Sequence, residues 1–223
     1  FFATEKHWRQ KFGATLKDDA RPMLILAPMT PVLLVYDLDQ VEGAVLPDEL
    51  EKFSTFEGRW NPEWLTMAVK NAEQRDRIQV RFKPLSSTLA GFATMVHGDV
   101  GWKRRIAIHD GLDEPSRFGV LCHELAHIYL GHLGSDEDHW WPSRTNLSRH
   151  AVELEAEAVA HLVTQRFGLE GASTAYVSRH MPAGKVPEGV SMDLTAKVAG
   201  RIEQMAQREQ PRREPGARRK AKR

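Results

Sequence analysis

The sequence has little cysteine, little glycine and proline, and no long apolar run. Cys122 is the one cysteine among 223 residues, which excludes a disulfide scaffold. Sixteen glycines and twelve prolines are too few for a collagenous or wholly low-complexity chain. The longest apolar stretch, Met23 to Tyr36, is broken by Pro28, Thr30 and Pro31. A membrane-spanning helix needs about 20 consecutive apolar residues, so no span is expected and no membrane partner. Nothing resembles a secretory signal. One cysteine without a signal points to a reducing, cytoplasmic setting. The chain begins at Phe1 rather than Met, and from this we expect a fragment or processed product with an upstream segment.

What is present is a globular composition, 41% hydrophobic and 27% charged, enough for one or two domains with a core. The net charge of +1 hides an asymmetry. Seven basic residues and Glu214 lie in the last 13 positions, Pro211 to Arg223; the remainder holds 24 basic against 29 acidic residues. The protein reads as a mildly acidic globule with a basic tail.

Periodicity and punctuation divide the chain. Ala3 to Leu16 reads as helix, with Trp8, Phe12 and Leu16 at helical spacing. Met23 to Ala27 and Val32 to Tyr36 read as strands joined by a short loop. Pro47 to Phe53 reads as a short helix or turn. Asn61-Pro62-Glu63 has the N-cap, first-turn proline and acidic residue of a helix start, and that helix should run to about Gln74. Arg77 to Phe82 alternates as a strand does, and Arg104 to His109 is a second short strand. Asp113-Glu114-Pro115 opens a helix to about Leu130, followed by Gly131 and Gly134. Asn146 or Ser148 caps a helix through Phe167, with Gly168 as its stop. Gly171 to His180 reads as a short helix. Val190 to Gln207 is amphipathic, with Met192, Leu194, Val198, Ile202 and Met205 on the expected buried side. Beyond Glu209 the composition cannot build a core. The expected division is an N-terminal α+β region over 1–95, a second domain over 96–208 and a disordered basic tail over 209–223.

The chemistry lies in residues 123–127, His-Glu-Leu-Ala-His. On a helix His123 and His127 project from one face, one turn apart. Two imidazoles at that spacing can reach one Zn²⁺ ion at about 2.0–2.1 Å. Glu124 is placed to face a metal-bound water as general base. The apolar flanks Val120, Leu121, Cys122, Leu125, Ala126, Ile128 and Leu130 bury this helix, and buried ionisable groups need partners. Cys122 points about 100° from His123 and reads as a small buried hydrophobe.

A catalytic zinc takes three protein ligands. A metzincin third histidine fails, because the required positions hold Leu133 and Leu130. His150 and His161 are alternatives. The helix after the motif carries Glu153 and Glu157 on one face, while Glu155 lies about 200° round from Glu153. Small residues Ala156, Ala158 and Ala160 would let that helix approach closely. Glu153 is the expected third ligand. Glu157 is the expected partner of a bound histidine's free ring N–H, and the reverse assignment is the alternative. His97, His109, His132 and His161 are individually uninformative; His132 would favour the negative end of its helix. Tyr129 and Tyr176 are candidate donors to a transition-state oxyanion.

The run Val120-Leu-Cys-His-Glu-Leu-Ala-His-Ile-Tyr-Leu-Gly-His132, followed by Glu153-Leu-Glu-Ala-Glu-Ala-Val-Ala160, resembles the ImmA/IrrE group of zincin-like metallopeptidases. Trp8, Ile25-Leu-Ala-Pro28-Met29, Val35-Tyr-Asp37-Leu-Asp-Gln40-Val-Glu42-Gly43 and Leu46-Pro47 resemble ArdC-like antirestriction proteins of plasmids and mobile elements. The resemblance implies an α+β, zincin-like fold with the HExxH helix beside a small sheet and further helices C-terminal. It also implies an edge strand able to pair an extended peptide, for which Arg104 to His109 is the candidate.

Two functions follow. The first is a zinc metallopeptidase, with one Zn²⁺, cutting a specific intracellular protein such as a repressor. The alternative is an ArdC-like antirestriction or single-stranded-DNA-binding protein with a mainly structural zinc. It would use Trp60, Trp64, Trp102, Trp140, Trp141 and the basic tail for stacking and charge. Core packing is the preferred reading of those tryptophans.

Overall fold

A computed structural model describes residues 2–27, 30–43, 55–85, 89–96, 101–171, 181 and 184–213. The expected helix at 47–53, all of the one expected at 171–180 except Gly171, which ends a strand, and most of the tail lie outside these residues. So do Tyr176, His97 and the pairs Pro28-Met29 and Leu46-Pro47.

In chain order the elements are β1 (Phe2–Ala3), α1 (Glu5–Phe12), β2 (Thr15–Leu16), β3 (Met23–Ala27), β4 (Thr30–Asp37), a 3-10 turn (Leu38–Gln40) and β5 (Val41–Glu42). There follow β6 (Phe56–Gly58), α2 (Pro62–Asp76), β7 (Ile78–Lys83), β8 (Gly91–Met95), β9 (Arg104–His109), α3 (Glu114–Tyr129), α4 (Arg149–Arg166), β10 (Leu169–Gly171) and α5 (Met192–Gln207). The architecture is α+β with small sheets, as expected of a zincin-like fold. No described helix is long and apolar enough to cross a membrane.

The central sheet has the order β7-β9-β8. β9 pairs in parallel with β7 and antiparallel with β8. This corrects one expectation: Arg104–His109 is the middle strand, and an extended peptide cannot pair with it. Ile106, Ala107 and Ile108 are almost fully buried there, which is the apolar run of an interior strand rather than the alternation of an edge. Among the described residues, the sheet edge beside the HExxH helix belongs to β8, a strand the sequence hides because Gly91 and Ala93 are poor strand formers. Gly91 is needed there: a Cβ would lie 2.6 Å from Val120 Cγ1 and 3.0 Å from the Ala107 carbonyl oxygen.

One apolar core joins α2, the central sheet, α3, α4 and α5. It includes Phe56, Leu65, Ile78, Phe118, Leu125, Val159 and Ile202. The boundary expected at residue 95 therefore cuts through a sheet and its core. A second, small cluster of Trp8, Ala14 and Val41 holds the N-terminal elements. The helix expected over Ala3 to Leu16 ends at Gly13, whose φ of +64° leaves the right-handed helix, and Thr15–Leu16 pairs instead with β5.

Asn61, Asp113 and Ser148 act at the helix starts that the sequence predicts, their side chains accepting backbone N–H groups of α2, α3 and α4. Ser191 does the same for α5, which begins at Met192 rather than at Val190. On α5 the buried stripe is Thr195, Val198, Ala199, Ile202, Met205 and Ala206. Met192, expected inside, is 67% exposed, because the first residue of the helix projects past that stripe. Residues 209–213, expected in the tail, are held to the body of the protein instead. Glu209 pairs with Lys70 at 2.7 Å, the Gln210 N–H donates to Asn71 Oδ1 at 2.8 Å, and Arg213 Nε meets Asp76 Oδ1 at 2.7 Å. These partners hold the chain against α2 through Arg213.

Candidate metal centre

Helix α3 lies with Leu121, Leu125 and Ile128 fully buried. Its other face carries His123, Glu124 and His127. Helix α4 packs against it through Ala156, Val159 and Ala160, all at most 1% exposed. These small side chains bring the two helices close enough for the α4 carboxylates to meet the α3 imidazoles.

His123 Nε2 and His127 Nε2 lie 3.1 Å apart. Glu153 Oε2 is 3.7 Å from the first and 4.0 Å from the second. Among the described residues, His123, His127 and Glu153 form the group able to hold a metal ion, with ligand atoms all within 4.8 Å of one another. Donors bound tetrahedrally at 2.0–2.1 Å stand about 3.3 Å apart, so the two imidazoles fit as they stand and the carboxylate needs only a small closure. His150 is exposed and, like His161, lies outside this group.

The other ring nitrogen of His123 meets Glu157: Nδ1 is 3.1 Å from Oε2. Burial works against a charge on His123. Its hydrogen bonds to Glu153 and Glu157, with the charges of Glu124 and Glu157, more than offset this and raise its pKa to about 10. Burial, with the positive field of His123 outweighing the opposing charge of Glu153, depresses His127 to about 3. The cleft thus sets carboxylate oxygens beside two imidazole nitrogens, the donor chemistry of a zinc site. Glu124 is 6% exposed. Burial raises its carboxyl to about 7, with the Glu153 charge adding and the His123 charge and the Ala93 backbone N–H opposing.

Tyr129 does not face this cleft. Two positions beyond His127 it turns into the core, where it is 2% exposed and its hydroxyl donates to Asp76 Oδ2 at 2.7 Å. The Arg201 guanidinium lies 3.8 Å over its ring. Burial and the Asp76 charge push its hydroxyl well above the usual tyrosine range, so it is no oxyanion donor here. Cys122 is fully buried, as expected of a packing residue. Trp60, Trp64, Trp140 and Trp141 pack in or against the core. Trp60 and Trp64 meet edge to face at 5.6 Å, Trp64 and Phe167 meet edge to face at 4.6 Å, and Trp141 is 3% exposed.

Sequence reasoning missed a second layer behind the site. His132 Nδ1 is 3.0 Å from His127 Nδ1, and His132 Nε2 is 2.9 Å from Glu155 Oε2. Glu155 is fully buried and held by both Arg144 guanidinium nitrogens at 2.8 Å. Burial would raise its pKa, but His132, Arg144 and the Ser191 N–H hold the carboxyl at about 2. The available signal was the pair Gly131-His132 directly after the helix.

Residues 73–174 match the Peptidase_M78 family, described as the IrrE N-terminal-like domain. No curated protein and no solved structure matches the chain. The matched segment runs from the end of α2 through α4 and contains every residue of the cleft; it begins after residues 8–48, where the sequence resembles ArdC-like proteins. Residues 73–174 are therefore similar to the IrrE N-terminal-like domain of that peptidase family, in keeping with the ImmA/IrrE resemblance of the HExxH segment.

Proposed function

We propose that the chain is a zinc-dependent peptidase that cuts an extended segment of a protein substrate, with Glu124 as general base. The observation that carries this reading is the convergence of His123, His127 and Glu153 on one point, with Glu124 on the adjoining face of the same helix. His123 and His127 would bind one Zn²⁺ through Nε2, and Glu153 through its carboxylate. Glu157 would accept the Nδ1–H of His123 and so fix that ring. A bound zinc ion supplies Lewis-acid polarisation of the scissile carbonyl and a water whose proton is easily lost. Glu124 would accept a proton from the attacking water and later pass it to the leaving amine; a carboxyl poised near neutrality suits both transfers. The open edge of β8 would pair with the substrate main chain, because unpaired strand N–H and C=O groups bind extended peptides with little regard to side chain. A cytoplasmic repressor is a fitting substrate class.

The experiment is metal analysis together with cleavage of denatured protein and peptide libraries, using wild type and Glu124→Gln. One equivalent of zinc in both proteins, with cleavage in the wild type alone, supports the reading. Cleavage that persists unchanged in Glu124→Gln would sink it. Zinc without cleavage, accompanied by salt-sensitive binding of single-stranded DNA, would favour the ArdC-like alternative instead.

A further inference from the structure

We propose that His132 is a positioning residue of the metal site: it accepts the Nδ1–H of His127, is itself held by Glu155, and so keeps the Nε2 lone pair of His127 turned into the cleft. The inference rests on the reading of His123, His127 and Glu153 as metal ligands.

A continued helix would carry residue 132 about 140° away from residue 127. The chain does not continue as helix. Gly131 takes φ +82°, the His132 N–H bonds the His127 carbonyl at 3.0 Å, and the Gly131 N–H bonds the Ile128 carbonyl at 3.1 Å. This pair of bonds with a left-handed glycine is the Schellman ending, and it folds His132 back under His127. Pro142 closes the turn from outside, since a Cβ on Gly131 would come within 2.2 Å of its carbonyl oxygen. The His132 side chain is only 2% exposed.

The direction of the hydrogen bonds follows from Glu155. Its Oε2 receives His132 Nε2 at 2.9 Å and Arg144 Nη1 at 2.8 Å. Its Oε1 receives Arg144 Nη2 at 2.8 Å and the Ser191 N–H at 2.5 Å. An ionised carboxylate only accepts, so His132 Nε2 donates. A neutral His132 then presents a lone pair at Nδ1, and His127 Nδ1 donates to it. The proton on His127 is thereby placed away from the cleft. Arg144 ties this layer to a further segment, donating to the Gly189 carbonyl at 2.7 Å. Glu157 orients His123 directly, whereas His127 reaches its carboxylate through an intervening imidazole.

The test uses the zinc-loaded full chain. Long-range proton–nitrogen NMR of the imidazoles should find His132 protonated at Nε2 only and His127 at Nδ1 only. Zinc affinity, measured by competition with a chelator, should fall about 10–100-fold in His132→Phe. His132→Asn, whose Oδ1 stands near the former Nδ1, should recover most of that loss. Melting in excess chelator identifies a variant that fails to fold; the NMR assignment and the Asn variant then decide. A proton on His132 Nδ1, or wild-type zinc affinity in a folded His132→Phe, overturns the inference while leaving the metal site intact. A wild type that binds no zinc overturns the metal-site reading itself, and this inference with it.

Discussion

Residues 104–171 and residues 2–43 are built differently. In the first region a buried central strand, two capped helices and a turn share one large core, and each functional side chain is backed by another side chain or a helix. In the second, β1 and β4, and likewise β2 and β5, pair over two residues each. Among the described side chains there, Trp8 is the largest that is fully buried. Its indole N–H donates to the Tyr36 carbonyl at 2.8 Å. Met23 and Leu34, by contrast, are 42% and 47% exposed. Stability scales with apolar area removed from water, so the two regions should respond to substitution separately. A site that must hold donor atoms to within tenths of an ångström sits on the region with the deeper core.

The sharpest contrast should come from the cleft. Glu124→Gln should lower peptide cleavage about 10²–10⁴-fold, the usual worth of a general base, with zinc content unchanged. Glu153→Ala should abolish stoichiometric zinc binding. Glu157→Gln should weaken it about 10–100-fold. If Glu157→Gln lost the metal and Glu153→Ala kept it, the two roles would be exchanged; equilibrium dialysis against a zinc buffer reads both.

Core truncations test whether the regions are independent. Leu125→Ala should cost about 2–5 kcal/mol, and denaturant unfolding followed by far-UV circular dichroism should register the loss over the main transition. Trp8→Ala should cost about 3–5 kcal/mol locally but leave zinc affinity unaltered. Amide exchange should quicken over residues 2–43 and stay slow in α3 and α4. Fast exchange in α3 after Trp8→Ala would mean that the two regions unfold together.

The smallest effect concerns acid. The Glu155 carboxyl is depressed from the usual 4.5 to about 2 by His132, Arg144 and the Ser191 N–H, against its burial. A carboxyl depressed in the folded state stabilises the fold fully above the unfolded value, and that contribution fades as pH falls from about 4.5 to about 2. The contribution should be at most about 3 kcal/mol. Glu155→Gln should therefore be less stable at pH 7 and lose less on acidification than the wild type. Parallel acid curves for the two proteins would remove Glu155 from the account.

The helices were legible because their signals are local. Asn61-Pro62, Asp113-Glu-Pro115 and Ser148 each satisfy free N–H groups within three residues. Helical spacing alone put His123 beside His127, and Glu153 one turn from Glu157. Strand Gly91–Met95 was not legible, because it exists through pairing with β9 and through the room that Gly91 leaves for Val120. Strand order was equally hidden: β7 and β8 both precede β9, yet they flank it. The placement of Tyr129 in the core depended on Asp76, which is 53 residues away.

The sequence by itself determined the helices, their caps and the spacing of the histidines and carboxylates, because each depends on contacts within one or two helical turns. Only the tertiary structure decided which strand is open, which carboxylate meets which imidazole, and that Glu155 supports His127 through His132. Those outcomes depend on the packing of α4 against α3 and on a left-handed turn at Gly131, where groups distant in sequence are buried together and must satisfy one another.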